Sequence, residues 1–219
     1  MTIALRRPPR PLAGAAVIAA ATLLVLATGL LVARLPFAFD RAVLSAVRGA
    51  GPAWLRRAAI DLTALGGGTV LTLAVLAAAT LLLVRRQPLV AAALVLACWS
   101  GGRVVQLVKD LVARARPDLA DRLVPVTSAS FPSAHAANSA IVYLTLAALA
   151  AQLTTDRATR RTLFTLAVLT TGAIGASRVY LGVHWPSDVV AGWSFGTLWA
   201  LGWWWLTARA RASLRSPRQ

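Results

Sequence analysis

Three short polar clusters interrupt a chain made mostly of Ala, Leu and Val, and the richest of them spans residues 177–188. It contains Arg178, His184 and Asp188 and lies between two apolar runs. Pro186 suits the first turn of a helix, where its missing N–H is not needed, so Asp188 should follow His184 by about one helical turn. A carboxylate at that spacing can hold one imidazole nitrogen, and an oriented imidazole beside an arginine predicts a nucleophile beside an anion clamp. The alternative interpretation is a polar loop that caps a helix.

A second cluster covers residues 109–117 and begins with the only lysine of the chain, Lys109. If the preceding helix continues past its apolar run, Lys109 and Arg116 lie about two turns apart on one side of it. Pro117 disfavours helix at the residue before it, which predicts that Arg116 lies near the helix end. An ammonium and a guanidinium bind a phosphate differently, so the pair predicts part of an anion site. The alternative is a basic helix end at the membrane surface.

The third cluster, residues 131–135, directly precedes another apolar run. Ser133 suits a helix N-cap, and the first N–H groups of the following helix, with its positive dipole end, would form an anion site. His135 would then lie over that site, placed to give or take a proton. The alternative is helix capping with an incidental histidine. Three further arginines could attract anionic headgroups, and a solvated basic face explains them equally well: Arg103, Arg114 and Arg122.

The composition predicts a membrane protein. The 219 residues are 58% hydrophobic and only 14% charged, and the mean hydropathy is +0.69. The formal net charge of +16 could indicate a nucleic-acid partner. The basic residues lie between apolar runs and form no nucleic-acid motif, so no such partner is expected and membrane topology explains them better. Cys98 is the only cysteine and permits no internal disulfide.

The apolar runs predict an all-α fold, a bundle of six transmembrane helices with the polar clusters at its outer membrane face. The first run, residues 12–32, is longer than the apolar part of a signal peptide, so we expect it to stay in the protein as the first span. Residues 34–61 mix arginines with apolar residues and predict an amphipathic segment along the interface. The later spans are predicted at residues 69–84, 89–108, 136–153 and 162–176 and from residue 189 onward. The expected organisation is a tail at 1–11, a six-span domain at 12–207 with its core at 58–207, and a basic tail at 208–219.

The orientation follows from the arginines in the shortest loops. With six spans, both termini share a side with the basic turns at residues 85–86 and 157–161. The raw Lys and Arg counts of the two sides are nearly equal, but they separate once Lys109, Arg116 and Arg178 are set aside as site residues. We therefore expect cytoplasmic termini and the polar clusters on the periplasmic or extracellular face.

Together, the three clusters resemble the three signature motifs of the type 2 phosphatidic acid phosphatase superfamily, whose members are lipid phosphate phosphatases. The resemblance extends over residues 58–207 and rests on Lys109-x6-Arg116-Pro117, Pro132-Ser133-Ala134-His135 and Ser177-Arg178-x5-His184-x3-Asp188. One position departs from the family pattern, because Ala134 stands where its commonest form has glycine. Alanine keeps the backbone N–H but tolerates positive φ poorly, so the loop must have a conformation that alanine can adopt.

The resemblance implies a role for each matching residue. His184 would be the nucleophile that attacks phosphorus, Asp188 would fix its tautomer, and His135 would be the general acid that protonates the leaving alkoxide. Fixed charges would hold the phosphoryl oxygens as metal ions do elsewhere, so neither a metal nor a cofactor is expected. The implied phosphate-binding residues are Lys109, Arg116, Ser133, Ala134 through its N–H, and Arg178.

These features lead us to expect an integral membrane, metal-independent lipid phosphatase. Its substrate would be a phosphomonoester or diphosphate of a lipid, of the polyprenyl diphosphate, phosphatidylglycerophosphate or phosphatidate type, taken from the bilayer. Two alternatives stay open. A phosphotransferase would pass the phosphoryl group from His184 to a lipid or sugar acceptor, and a non-catalytic membrane protein would only bind anionic lipid. A soluble haloperoxidase with the same anion-site pattern is excluded by the apolar composition.

Overall fold

The computed structural model describes residues 37–213 except 119, 121 and 152–154, together with the isolated positions 16, 20, 23 and 24. The predicted N-terminal tail and first span therefore lie almost wholly outside the described residues, as does the end of the chain from residue 214. The all-α prediction is confirmed, because the described residues form α-helices and no strand. The helices are α1 (Ala38–Val47), α2 (Ala53–Ala64), α3 (Gly68–Val84), α4 (Pro88–Val112), α5 (Ala134–Ala150), α6 (Arg157–Tyr180) and α7 (Pro186–Ser213).

Local sequence explains where the long helices begin. Pro88 and Pro186 occupy the first turns of α4 and α7, where a missing N–H leaves no hydrogen bond unmade. Ser133 caps α5 by accepting from the Ala136 N–H at 3.5 Å. Asp156 caps α6 by accepting from the Thr159 N–H at 2.7 Å. At its other end, α7 continues to Ser213, past the predicted domain end at residue 207, because the Ala- and Arg-rich sequence there favours helix.

Two of the described helices, α4 and α6, are long and apolar enough to cross a membrane. A third candidate arises if α2 and α3, which meet at a bend of 44°, form one broken span. The predicted hinge at residues 66–68 lies at this bend. Helix α5 is apolar but shorter, at 17 residues. The all-helical architecture thus agrees with the sequence prediction, while the six-span count stays a prediction.

The end of α4 differs from the expectation that the helix continues toward Arg116. The helix ends at Val112, and Ala113 adopts the left-handed conformation with φ +46° while its N–H donates to the Lys109 carbonyl at 2.9 Å. The expectation relied on Pro117, whose steric effect reaches only the preceding residue. The chain therefore leaves α4 early, and Arg116 lies in the connection beyond it.

Residues 34–61 were expected to lie along the interface as one segment, but the described part forms two helices, one of which reaches the interior. Asp40 of α1 is fully buried and Leu44 nearly so, and α1 packs on α6 and α7. Its opposite side exposes Phe39 and Val43. Helix α1 therefore contributes a carboxylate to the protein interior, and the location of this segment at a membrane interface stays a prediction.

Helices α5 and α7 pack closely, which fixes the distance between the polar clusters at residues 131–135 and 177–188. Gly192 and Gly196, one turn apart on α7, face α5. A Cβ at Gly192 would lie 2.7 Å from the Ser133 carbonyl oxygen, and one at Gly196 would lie 2.7 Å from the Ala140 Cβ and would also meet a backbone carbonyl. Small residues let two backbones approach in this way in membrane helices.

We expect Gly196→Ala to lower the thermal unfolding temperature of the purified protein in detergent, because the added methyl group overpacks the interface by about 1–3 kcal/mol. The matched control is Gly202→Ala on the same helix, where no described atom lies within 4 Å of the added Cβ. That variant should unfold at the wild-type temperature or slightly above it, because alanine favours helix. Equal unfolding temperatures for the two variants would contradict the close packing of α5 and α7.

Candidate active site

His184 and Asp188 form a buried pair at the start of α7. Only 2% of His184 and none of Asp188 is exposed. The imidazole Nδ1 lies 3.4 Å from the Asp188 Oδ2, across one helical turn. The same carboxylate oxygen accepts the Trp185 N–H at 3.0 Å, which fixes the aspartate against the entrance of the helix. The spacing predicted from Pro186 is therefore present in the fold.

The hydrogen bonds of His184 indicate its tautomer. Its Nε2 lies 3.0 Å from Nη1 of Arg116, and a guanidinium can only donate. Nε2 must therefore be the unprotonated acceptor, and Nδ1 carries the proton that faces Asp188. This arrangement directs the imidazole lone pair toward the arginine, which is where a bound anion would lie.

Lys109 and Arg116 donate to the same backbone carbonyl, although Lys109 lies in the last turn of α4 and Arg116 lies in the connection beyond it. The Lys109 Nζ donates to the Ala129 carbonyl at 2.5 Å, and Nη2 of Arg116 donates to the same oxygen at 3.3 Å. Arg116 also donates through Nε to the Ser128 carbonyl at 2.6 Å and through Nη1 to the Val183 carbonyl. The connection between α4 and α5 thus positions both cations beside His184.

Arg178 contributes the third cation from the last turn of α6. It is 5% exposed, its Nη1 donates to the Thr63 Oγ1 at 2.9 Å, and its buried Nε has no hydrogen-bond partner in the part of the chain that the structure describes. The positive charge of Arg116 acts on Arg178. Within the described residues, no carboxylate lies in salt-bridge distance of Lys109, Arg116 or Arg178. Buried cations without carboxylates need another source of negative charge.

The cluster at residues 131–135 lies at the start of α5. The backbone N–H of Ser133 donates to the Asp188 carbonyl at 3.0 Å, which joins the entrances of α5 and α7. His135 lies among the positive charges of Arg178, Arg116 and Lys109 and packs beside Gly66. Ala134 is the first residue of α5 and is not among the described residues with positive φ, so alanine fits here without backbone strain.

Sequence reasoning missed the polar residues that support Asp188, and the interpretation of Arg114 as part of a solvated basic face is wrong. Arg114 is 5% exposed, donates through Nη1 to Asp188 Oδ1 and to Ser187 Oγ at 2.8 Å, and donates through Nη2 to Asp40 at 2.8 Å. The Ser130 hydroxyl donates to Asp188 Oδ2 at 2.5 Å. The one feature of the sequence that could have indicated these contacts is the scarcity of acidic residues, because the whole chain contains only seven Asp and Glu residues.

The other two arginines of that interpretation differ from Arg114. Arg103 is exposed on α4, in agreement with a solvated face. Arg122 is half-buried and donates to the Pro117 carbonyl at 2.9 Å and the Val126 carbonyl at 3.5 Å, so it holds the connection between α4 and α5 in shape. Neither side chain reaches the His184–Asp188 pair by a hydrogen bond.

Burial and charge determine the ionisation of the two groups that meet at the centre. Burial, aided by the positive charges of Arg116 and Lys109, lowers the pKa of His184 to about 3, although Asp188 acts in the opposite direction. Burial lowers the pKa of Arg116 to about 10, which leaves the guanidinium charged at neutral pH. At neutral pH the site therefore combines an uncharged imidazole with a charged guanidinium, the combination that an anion-directed nucleophile requires.

The sequence is similar to those of two known phosphatases. Phosphatidylglycerophosphatase B of Bacillus subtilis is 39% identical over 94 residues, which cover 42% of this chain and 46% of that protein. Decaprenylphosphoryl-5-phosphoribose phosphatase of Mycobacterium tuberculosis is 37% identical over 129 residues, 58% of this chain and 64% of that protein. The chain thus matches about half to under two thirds of the length of these relatives.

A solved structure covers far more of the fold. The crystal structure of a transmembrane PAP2-type phosphatidylglycerolphosphate phosphatase from Bacillus subtilis superimposes with a TM-score of 0.78 and 28% identity, over 93% of this chain and 98% of that one. The family model described as the PAP2 superfamily matches residues 88–212, which include all three polar clusters. The chain therefore belongs to the PAP2 superfamily, the type 2 phosphatidic acid phosphatase family that its motifs resemble.

Proposed function

We propose that this protein is an integral membrane lipid phosphatase that hydrolyses a lipid phosphomonoester or diphosphate through a phosphohistidine intermediate. One observation carries the proposal: three cations that have no carboxylate partner among the described residues, two of them buried and Arg116 half-buried, lie in the same site as a neutral imidazole whose other nitrogen faces a buried aspartate. A binding protein for anionic lipid would need the cations but not the His–Asp pair. The cations are Lys109, Arg116 and Arg178.

In the first step, the lone pair on Nε2 of His184 attacks phosphorus, and a P–N bond forms as the P–O bond to the leaving group breaks. Asp188 stabilises the positive charge that develops on the ring, because its carboxylate accepts from Nδ1. His135 donates a proton to the departing oxygen. Lys109, Arg116, Arg178 and the N–H groups at the start of α5, capped by Ser133 and beginning with Ala134, hold the equatorial oxygens, whose charge grows in the transition state.

In the second step, water attacks the phosphohistidine, and His135 takes the proton of that water. The P–N bond breaks, inorganic phosphate leaves, and His184 returns to its neutral form. Fixed positive charges perform the neutralisation of phosphoryl oxygens in both steps, so the proposal includes no metal ion. A phosphotransferase would differ only here, with a lipid or sugar hydroxyl in place of water.

The relatives support a lipid substrate. The names of the two curated proteins specify phosphatidylglycerophosphate and decaprenylphosphoryl-5-phosphoribose, both of which are lipid phosphates. The site and the apolar helices fit such molecules, because the phosphate would meet the cations at the helix ends while the hydrocarbon chain stays in the bilayer. We therefore propose six membrane spans, cytoplasmic termini and an active site on the periplasmic or extracellular face.

Phosphate release by the purified protein in detergent tests the activity. Over a panel of phosphatidate, phosphatidylglycerophosphate and undecaprenyl diphosphate, we expect release that persists with chelator and falls at least 10³-fold in His184→Ala, because the nucleophile is lost. Arg103→Gln, an exposed control, should retain the wild-type rate. Activity that chelator abolishes, or that His184→Ala retains, would defeat the mechanism, and transfer of labelled phosphate to an added lipid or sugar would identify a phosphotransferase.

The pH dependence of stability tests the neutral state of His184. Because its native pKa of about 3 lies below the ordinary value of 6.5, the unfolded chain binds a proton that the native protein excludes between these pH values. His184 therefore makes the free energy of unfolding fall as pH falls from 6.5 toward 3, by at most about 1.4 kcal/mol per pH unit. His184→Gln should give a shallower decrease of unfolding temperature between pH 6.5 and 4, and an unchanged slope would refute the neutral buried imidazole.

Cysteine labelling tests the topology. In a Cys98→Ser background, Thr127→Cys places an exposed thiol in the connection that bears the active site, and Arg157→Cys places one at the other end of the bundle. We expect a membrane-impermeant maleimide to label Thr127→Cys in intact cells and to label Arg157→Cys only after lysis. The reverse pattern would place the active site in the cytoplasm.

A further inference from the structure

We propose that Arg114, held by Asp40, is a positioning residue that orients the Asp188 carboxylate and thereby the His184 imidazole. The proposal rests on the function proposed above and assigns a role to two residues that the three motifs do not specify. Asp40 and Arg114 are separated by 74 positions in the sequence, and both are buried where α1 meets the start of α7.

Arg114 is not available to bind substrate, although it lies only two positions before Arg116 in the sequence. Its Nη1 is engaged by Ser187 and Asp188, and its Nη2 by Asp40. Two carboxylates already balance its charge. Within the described residues, Arg116 has only carbonyl, hydroxyl and imidazole partners, whereas Arg114 has two carboxylate partners and only its buried Nε lacks a hydrogen bond. The charge of Arg116 therefore remains for the anion site, and that of Arg114 is balanced within the protein.

Arg114 restrains the Asp188 carboxylate in a specific way. It occupies Oδ1, while Oδ2 accepts from the Ser130 hydroxyl at 2.5 Å and lies 3.4 Å from Nδ1 of His184. The terminal torsion of an aspartate is broad, so a carboxylate held at only one oxygen can rotate. A planar guanidinium on Oδ1 removes that freedom and directs Oδ2 at the imidazole.

Asp40 completes the arrangement from α1. Its Oδ1 accepts the Ser187 backbone N–H at 2.8 Å, and its Oδ2 accepts the Ser187 hydroxyl at 2.7 Å and Arg114 at 2.8 Å. The carboxylate therefore binds both the guanidinium and the first turn of α7 on which Asp188 lies. Without Asp40, a buried arginine with two hydrogen-bonding ends would keep a single carboxylate partner and could shift toward it.

Kinetics with two inhibitors separates positioning from folding. Inorganic phosphate needs only the cations, whereas vanadate, a five-coordinate analogue of phosphoryl transfer, also needs an aligned Nε2 to bond. We expect Arg114→Gln to lower kcat at least ten-fold and to raise the inhibition constant of vanadate at least ten-fold. KM and the inhibition constant of phosphate should stay within two-fold of wild type. A merely structural role would reduce the active fraction and leave both inhibition constants unchanged.

Three further variants sharpen the test. Arg114→Lys keeps the charge but not the planar fork and should recover part of the lost kcat, and Asp40→Asn should show the same inhibitor signature at about three-fold amplitude. Arg56→Gln is the matched control, because Arg56 also anchors the connection between α4 and α5, through the Leu123 carbonyl at 3.0 Å, but does not contact Asp188. It should retain wild-type kcat and both inhibition constants.

The outcomes distinguish this inference from the proposed function. If Arg114→Gln is not recovered as folded protein, the same kinetic and inhibitor measurements on Asp40→Asn test the inference. The thermal unfolding temperature of Asp40→Asn shows that this variant is folded. A folded variant with wild-type kcat and wild-type vanadate inhibition, beside an inactive His184→Ala, would overturn the role of Arg114 and Asp40 alone. Absence of phosphate release by the wild type, or full activity of His184→Ala, would instead overturn the proposed phosphatase.

Discussion

The buried carboxylate of Asp188 is the group on which the rest of this site depends. Removing an ionised carboxylate from water is unfavourable by several kcal/mol unless donors replace the water on each oxygen. Here four donors come from three segments of the chain: the guanidinium of Arg114, the hydroxyl of Ser130, and the imidazole of His184 with the neighbouring backbone N–H of Trp185. Each of these segments must reach the start of α7 for the carboxylate to stay buried and charged. The stability of this end of the bundle and the orientation of the imidazole therefore have the same physical cause.

Arginines of this site have two different roles, and the charge of the groups that bind each guanidinium determines its role. Arg114 lies between the carboxylates of Asp40 and Asp188, so its charge is balanced inside the protein. Arg116 and Arg178 are bound by uncharged groups, among them the Ser128 carbonyl and the Thr63 hydroxyl, so their positive charge remains for an anion. A chain with only seven acidic residues thus leaves these charges unbalanced, because Asp40 and Asp188 form their arginine ion pairs with Arg114.

Much of the site could be predicted from the sequence because its signals are local. The cap at Ser133, the helix start at Pro186 and the one-turn spacing of His184 and Asp188 depend on neighbours within four positions. The end of α4 could not be predicted in the same way. Nothing in an alanine indicates a left-handed residue, and the turn at Ala113 exists because the following segment returns to pair Ser130 N–H with the Arg114 carbonyl at 2.9 Å.

The sequence by itself determined the family, the helical character and the residues that meet at the candidate site, because the motifs and the apolar runs are short-range patterns. Only the tertiary structure decided which charges are balanced. Asp40 and Ser187 are 147 positions apart, and no local pattern distinguishes a buried Arg114 from the exposed Arg103. Whether a side chain is buried and paired depends on which helices pack together. The close contact of α5 and α7 at Gly192 and Gly196, for example, requires two helix surfaces that fit each other. Such information exists only once the chain has folded.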